Sequence, residues 1–134
     1  MAYDTPQTVS YNFGEIDFAD AAEILSIEPP TGAGKGFIMD VHVASSETFN
    51  AVTTEAFLQL GTAADPDAYV NMGLDTLADT VGRSCIDADY ITRSLPASTP
   101  VEVTVVANTG GTPAGKGYIT VTVAWDYPIP RHVQ

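Results

Sequence analysis

The chain has one cysteine, two histidines, one tryptophan and five basic residues among its 134. Each scarcity removes a class of function. A lone Cys85 excludes an internal disulfide, and its neighbours Arg83-Ser84 and Ile86-Asp87 form no nucleophile signature, so it reads as a buried structural thiol. His42 and His132 stand far apart in the chain, without the paired-histidine spacing of a hydrolytic metal site. Five basic residues against seventeen acidic ones give a net charge of −12. Such a surface repels phosphate backbones and anionic lipid, which excludes nucleic acid and membrane surfaces as partners. No apolar run approaches the roughly 20 residues of a membrane-spanning helix. No basic segment followed by an apolar stretch opens the chain, so no secretory leader is read. A hydrophobic content of 45% excludes disorder, and the length fits a single domain around one core.

What is present is a repeat. Thr31-Gly32-Ala33-Gly34-Lys35-Gly36-Phe37-Ile38-Met39-Asp40-Val41-His42-Val43 is echoed by Thr112-Pro113-Ala114-Gly115-Lys116-Gly117-Tyr118-Ile119-Thr120-Val121-Thr122-Val123. Each stretch is a glycine-rich tip, an aromatic, an isoleucine and an alternating tail ending in Val-x-Val. That is the pattern of a hairpin turn feeding a half-buried antiparallel strand. Spacing removes nucleotide binding. A phosphate loop requires a glycine five residues before its Gly-Lys pair and Ser or Thr directly after the lysine. Pro29 holds that position before Gly34, and Gly36 follows Lys35. Gly110 precedes Gly115 at the right distance, yet Gly117 follows Lys116.

Alternation and punctuation place the strands. Glu15-Ile16-Asp17-Phe18 reads as a short strand, and Ala19 to Ile27 fits a helical turn or a strand, ended by Pro29-Pro30. Ile38 to Val43 is a strand and Ser45-Ser46-Glu47-Thr48 a turn. Glu55 to Leu60 alternates with Ala56, Leu58 and Leu60 on one face, and Asp65-Pro66 initiates a turn. Asp75 to Arg83 forms one helical turn or an irregular loop, and Asp87 to Thr92 a strand. Val101 to Ala107 is the cleanest strand, joined as a long-looped hairpin to Gly117–Trp125. The expected class is all-β: an antiparallel β-sandwich, jelly-roll-like, with about eight strands and little helix. Residues 1–12 lack a core period and read as an extended N-terminal arm. Residues 13–127 form the sandwich, and 128–134 an extended C-terminal tail shaped by Pro128 and Pro130.

Chemistry is sparse. Asp65 and Asp67 flank Pro66, and Asp87 and Asp89 flank Ala88, so each pair can converge on Ca²⁺ or stand solvated in a turn. The twelve-residue calcium loop is absent, as is a Gly-x-Ser-x-Gly elbow. With seventeen acids, some pair meets any separation, so spacing carries no signal for glycoside hydrolysis. The expectation is a protein that is not an enzyme and needs no cofactor.

Three features together resemble small head proteins of tailed phages. They are Leu58-Gln59-Leu60-Gly61-Thr62-Ala63-Ala64-Asp65-Pro66-Asp67-Ala68-Tyr69, the closing segment from Gly115-Lys116-Gly117-Tyr118 to Tyr127, and a short chain without catalytic signature. The resemblance spans residues 36–127 and implies a jelly-roll capsid decoration (cement) protein. It further implies a homotrimer on the outer capsid surface of a virion, made in the host cytoplasm and bridging major capsid protein subunits. Such proteins often bind through N-terminal arms, which makes Tyr3, Tyr11 and Phe13 the candidate capsid contacts. Deleting residues 1–12 is then expected to abolish shell binding and leave the sandwich folded. A head-fibre or tail-associated role shares this fold and setting. The alternative from another class is a carbohydrate-binding jelly roll, with Trp125, Tyr118, Tyr127 and Tyr69 as a stacking platform; its competitor is Trp125 as a core plug.

Overall fold

In the computed structural model, the described residues are 5–19, 23–50, 53–74, 82–84, 90–110 and 113–127. They form nine strands and no helix: β1 (Thr5–Asp17), β2 (Glu23–Ile27), β3 (Gly36–Asn50), β4 (Phe57–Gly61), β5 (Val70–Gly73), β6 (Gly82–Ser84), β7 (Ser94–Leu95), β8 (Val101–Val106) and β9 (Ala114–Tyr127). One sheet has the order β1-β9-β3-β6, with β7 also paired to β3; the other has the order β2-β8-β4-β5. All pairings are antiparallel. They nest: β1 with β9, β2 with β8, β3 with β6 and β7, β4 with β5. A long hairpin folded over on itself gives this nesting, which is the Greek-key wrapping of a jelly roll.

The core lies between the sheets because alternate residues point inward. Ile38, Val41, Val43, Ile119, Val121, Val123 and Trp125 line the first sheet. Ile27, Leu58, Leu60, Val70, Met72, Val101, Val103 and Val105 line the second. Each such side chain stabilises the fold by about 1.5–3 kcal/mol on burial. Phe18 and Phe49 close one end of the core, with ring centroids 5.0 Å apart and planes tilted by 47°.

The two echoed stretches pair with each other. Ile38 lies opposite Val123, Val41 opposite Val121 and Val43 opposite Ile119, so the repeat builds the centre of one sheet from both its halves. Neither glycine-rich segment is a hairpin tip, however. The first carries the chain from β2 in one sheet to β3 in the other, and Gly115-Lys116-Gly117 lies within β9. The expected hairpin of Val101–Ala107 with Gly117–Trp125 is likewise a crossing between sheets, since β8 pairs with β2 and β4, and β9 with β1 and β3. Buried Asn108 fixes that crossing: its side-chain amide donates to the Ala114 carbonyl at 2.9 Å and its backbone N–H to the Phe18 carbonyl at 3.2 Å.

Two segments are more regular than their sequence pattern. The expected turn Ser45–Thr48 lies inside β3, which continues to Asn50. Irregularities at Ile38/Asp40, Ser45/Glu47 and Glu47/Asn50 let β3 return Val41, Val43 and Phe49 to the core after each break in period. Residues 5–12, expected as an arm, form most of β1 and pair along β9 from Thr5↔Tyr127 to Asn12↔Thr120. Val9, Tyr11 and Phe13 alternate and pack against the core. Of the expected strand Asp87 to Thr92, residues 87–89 lie outside the described set, while Tyr90 makes an isolated bridge with Val70. Of the expected helical turn or loop Asp75 to Arg83, residues 75–81 also lie outside that set, while Gly82 and Arg83 belong to β6; residues 128–134 lie outside it as well.

The β4–β5 connection turns at Asp65-Pro66, as the Asp-Pro pair indicates. Thr62 N–H donates to the Asp65 carbonyl at 2.9 Å and Tyr69 N–H to the Leu60 carbonyl at 2.9 Å. Gly61 opens this turn, and a Cβ there would overlap the backbone of Asp65 and Pro66. Gly61→Ala is therefore expected to cost about 1–3 kcal/mol, as overpacking against immobile atoms does. Urea denaturation with a lowered midpoint and unchanged slope checks this; an unchanged midpoint would show that the turn gives way freely.

Candidate functional site

Among the described residues, the outer face of the first sheet carries organised chemistry. Strand register sets its rows: Asp17–Lys116–Glu47, Glu15–Tyr118–Ala44, Asn12–Thr120–His42, Ser10–Thr122–Asp40 and Thr8–Ala124–Phe37. The middle is hydroxyl- and amide-rich. Thr120 Oγ1 donates to Asn12 Oδ1 at 2.9 Å, and the Ser10 and Thr122 hydroxyls meet at 3.2 Å. One end is acidic: Ser46 Oγ donates to Glu15 Oε2 at 2.7 Å, and Lys116 Nζ lies 3.9 Å from Glu47. Both partners of that ion pair are substantially exposed, so it contributes little to stability.

The other end is apolar and cationic. Phe37 is 45% exposed and Met39 49%. The Arg93 guanidinium carbon lies 4.1 Å from the Tyr90 ring centroid and 5.7 Å from that of Phe37, within cation–π range of both rings. Arg93 is held there by its own backbone, whose carbonyl accepts from Ile38 N–H at 2.8 Å. Sequence reading passed over Phe37, Met39 and Arg93. Phe37 and Met39 alternate with the buried Gly36 and Ile38, a signal that was present, but only the fold shows that Arg93 reaches the same spot.

The candidate arm residues divide. Tyr3 lies outside the described residues. Tyr11 and Phe13 are half-buried on the core side of β1, and Tyr11 Oη accepts a hydrogen bond from Trp125 Nε1 at 3.0 Å. Deleting residues 1–12 would remove that partner and strip β9 of a neighbour, so an intact sandwich is not the expectation this structure supports. Trp125 is fully buried and Tyr69 nearly so, which leaves only Tyr118 exposed among the described members of the sugar platform. The platform does not form; Trp125 is the core plug.

The carboxylate pairs divide too. Asp87 and Asp89 lie outside the described residues. Asp65 and Asp67 come together in the β4–β5 turn, where a hydrogen bond that protonated Asp65 donates to the Asp67 side chain raises the Asp65 carboxyl above its ordinary value, with desolvation and the like charge of Asp67 adding to it. Two adjacent carboxyls are also placed to share a cation, yet among the described residues no three His, Cys, Asp or Glu side chains converge.

No family model matches the chain, and no curated protein matches it. Among solved structures, it is similar to a chain of the cyanophage Pam1 capsid asymmetric unit at 21% identity, over 93% of this chain and 85% of that one, with a TM-score of 0.45. It is similar to FLHE at 12% identity, over 96% and 100%, with a TM-score of 0.43. It is also similar to a chain of the disulfide-linked pili of Bacillus endospore appendages at 11% identity, over 95% and 93%, with a TM-score of 0.41. At such identities and TM-scores none of these likenesses carries an argument about function.

Two outcomes follow from the site. Tyr11→Phe leaves the buried indole N–H without its acceptor, and is expected to destabilise by about 1–3 kcal/mol in thermal denaturation. No change would mean that the indole finds another acceptor. For Asp65, the raised folded-state pKa means its favourable contribution is complete at acid pH and is lost as pH rises through the folded value. Asp65→Asn should therefore gain stability relative to the parent chain as pH rises from acid to neutral. A stability difference that does not vary with pH would remove this interaction between Asp65 and Asp67.

Proposed function

We propose that the chain is a non-enzymatic virion structural protein that decorates and stabilises a phage capsid by bridging major capsid protein subunits, acting as a homotrimer on the outer surface. The observation that carries this reading is the exposed pair Phe37 and Met39 on β3, with Arg93 over the Phe37 ring, on a chain of net charge −12. A spread of carboxylates keeps the remaining surface hydrated, and one apolar, cationic spot offers a place for desolvated contact. Asp40 adds a polar counterpart nearby: its buried Oδ1 has no hydrogen-bond partner among the described residues, and a donor on a docked surface would complete it. Repetition over a shell turns modest contacts into firm attachment through avidity. Docking would then use the outer face of the first sheet, with Tyr11 and Phe13 contributing to the fold beneath it.

The test is co-sedimentation of purified protein with undecorated shells. Phe37→Ser with Met39→Ser is expected to weaken binding at least about tenfold, since each buried apolar side chain is worth about 1.5–3 kcal/mol. Thermal stability should stay close to that of the parent chain, because both side chains are exposed. Full binding by this double variant would sink the assignment of the docking face. Absence of the chain from purified virions by mass spectrometry would sink the virion reading itself.

A further inference from the structure

Among the described residues strand β1 ends its sheet, and its far edge is the long one. An antiparallel ladder engages alternate residues on each side of a strand, so half of the β1 backbone N–H and C=O groups point away from β9. The other terminal strands are short: β2 has five residues, β5 four, β6 three and β7 two, against thirteen in β1. Shortness, proline, bulges and charge are the usual protections of a sheet edge. In β1, Pro6 stands near one end and the Phe13/Glu15 irregularity near the other. Between them Gln7 to Phe13 runs in unbroken register without a charge or a proline. The inward residues Val9, Tyr11 and Phe13 are only half-buried, so the core is incompletely covered along this edge.

We propose that this edge pairs antiparallel with β1 of a second copy across a two-fold axis, running the first sheet continuously through two molecules. Charge permits a second copy here, and composition selects it as the occupant. Copies of a −12 chain repel wherever carboxylates oppose, and Gln7 to Phe13 brings none together. Composition is self-complementary in the same register. Centred on Ser10, the pairing sets Ser10 against Ser10 and Thr8 against Asn12 on the outer face, and Val9 against Tyr11 on the core side. Cross-strand pairs of matched kind stabilise a sheet, and an isologous contact makes each of them twice. The inference stands apart from the virion reading: it doubles whatever particle the chain forms.

Size exclusion with light scattering on the full chain, over a concentration series, tests it. Ser10→Lys places like charges opposite each other on the axis while altering an exposed side chain that meets the Thr122 hydroxyl. It is expected to halve the particle mass with an unchanged far-ultraviolet spectrum. Thr8→Lys with Asn12→Lys should separate the copies as well, whereas Thr8→Lys with Asn12→Glu should restore the larger mass, because the register opposes positions 8 and 12. As a second readout, Ser10→Cys with Cys85→Ser should crosslink on mild oxidation, since directly opposed Cα atoms lie about 4.5–5.5 Å apart, within disulfide reach. A mass that Ser10→Lys leaves unchanged, or a Ser10→Cys variant that stays uncrosslinked, overturns self-pairing and leaves the edge to a strand of a different protein.

Discussion

The fold depends on β9 being satisfied on both edges at once. Its backbone groups bond to β1 on one side and β3 on the other, while Ile119, Val121, Val123 and Trp125 hold the inner face dry. A strand in that position cannot be half-formed, because a buried backbone group left without a partner costs more than a hydrogen bond returns. The first sheet therefore assembles around β9, and the nesting of the other pairs follows from where its two neighbours sit in the chain. Trp125 ties the sheet to its edge: the indole is buried by the core, and its N–H is answered by Tyr11 on β1.

Much of this was legible in the sequence, and the reason is period. Val101, Val103 and Val105 alternate without interruption, and so do Ile119, Val121, Val123 and Trp125, so both strands and the all-β class could be read directly. Partnership was less legible. Alternation says that a face is buried but not against which sheet, so consecutive β8 and β9 looked like a hairpin although they belong to different sheets. Irregular pairing hid more. Each break in β3 shifts the period by a residue, and Ser45 to Thr48 imitates a turn wherever only local composition is read. In β1, Val9, Tyr11 and Phe13 do alternate, but flanking Thr, Ser and Asn masked the pattern.

The site was less legible than the fold for a similar reason. Phe37 and Met39 are visible as apolar positions out of phase with the core, but Arg93 reaches Phe37 only through the β3–β7 pairing, across more than fifty residues of chain. Asp65 and Asp67 were found because they are sequence neighbours, which makes their contact a local fact. The acidic balance of the chain is informative mainly through where it is absent. Along β1 and β9 the centre of the outer face is filled by Thr, Ser and Asn, and Glu15, Asp17 and Glu47 cluster at one end of it.

The nested pairing also fixes how the molecule answers a mechanical load. Thr5 lies directly opposite Tyr127, at the same end of two neighbouring antiparallel strands. A force drawing those two residues apart acts on one rung of the ladder at a time, so the edge peels open like a zipper. A force along the axis of β1 toward its Asp17 end loads all the rungs with β9 together, in shear. The same hydrogen bonds are thus weak or strong according to the corner that is pulled.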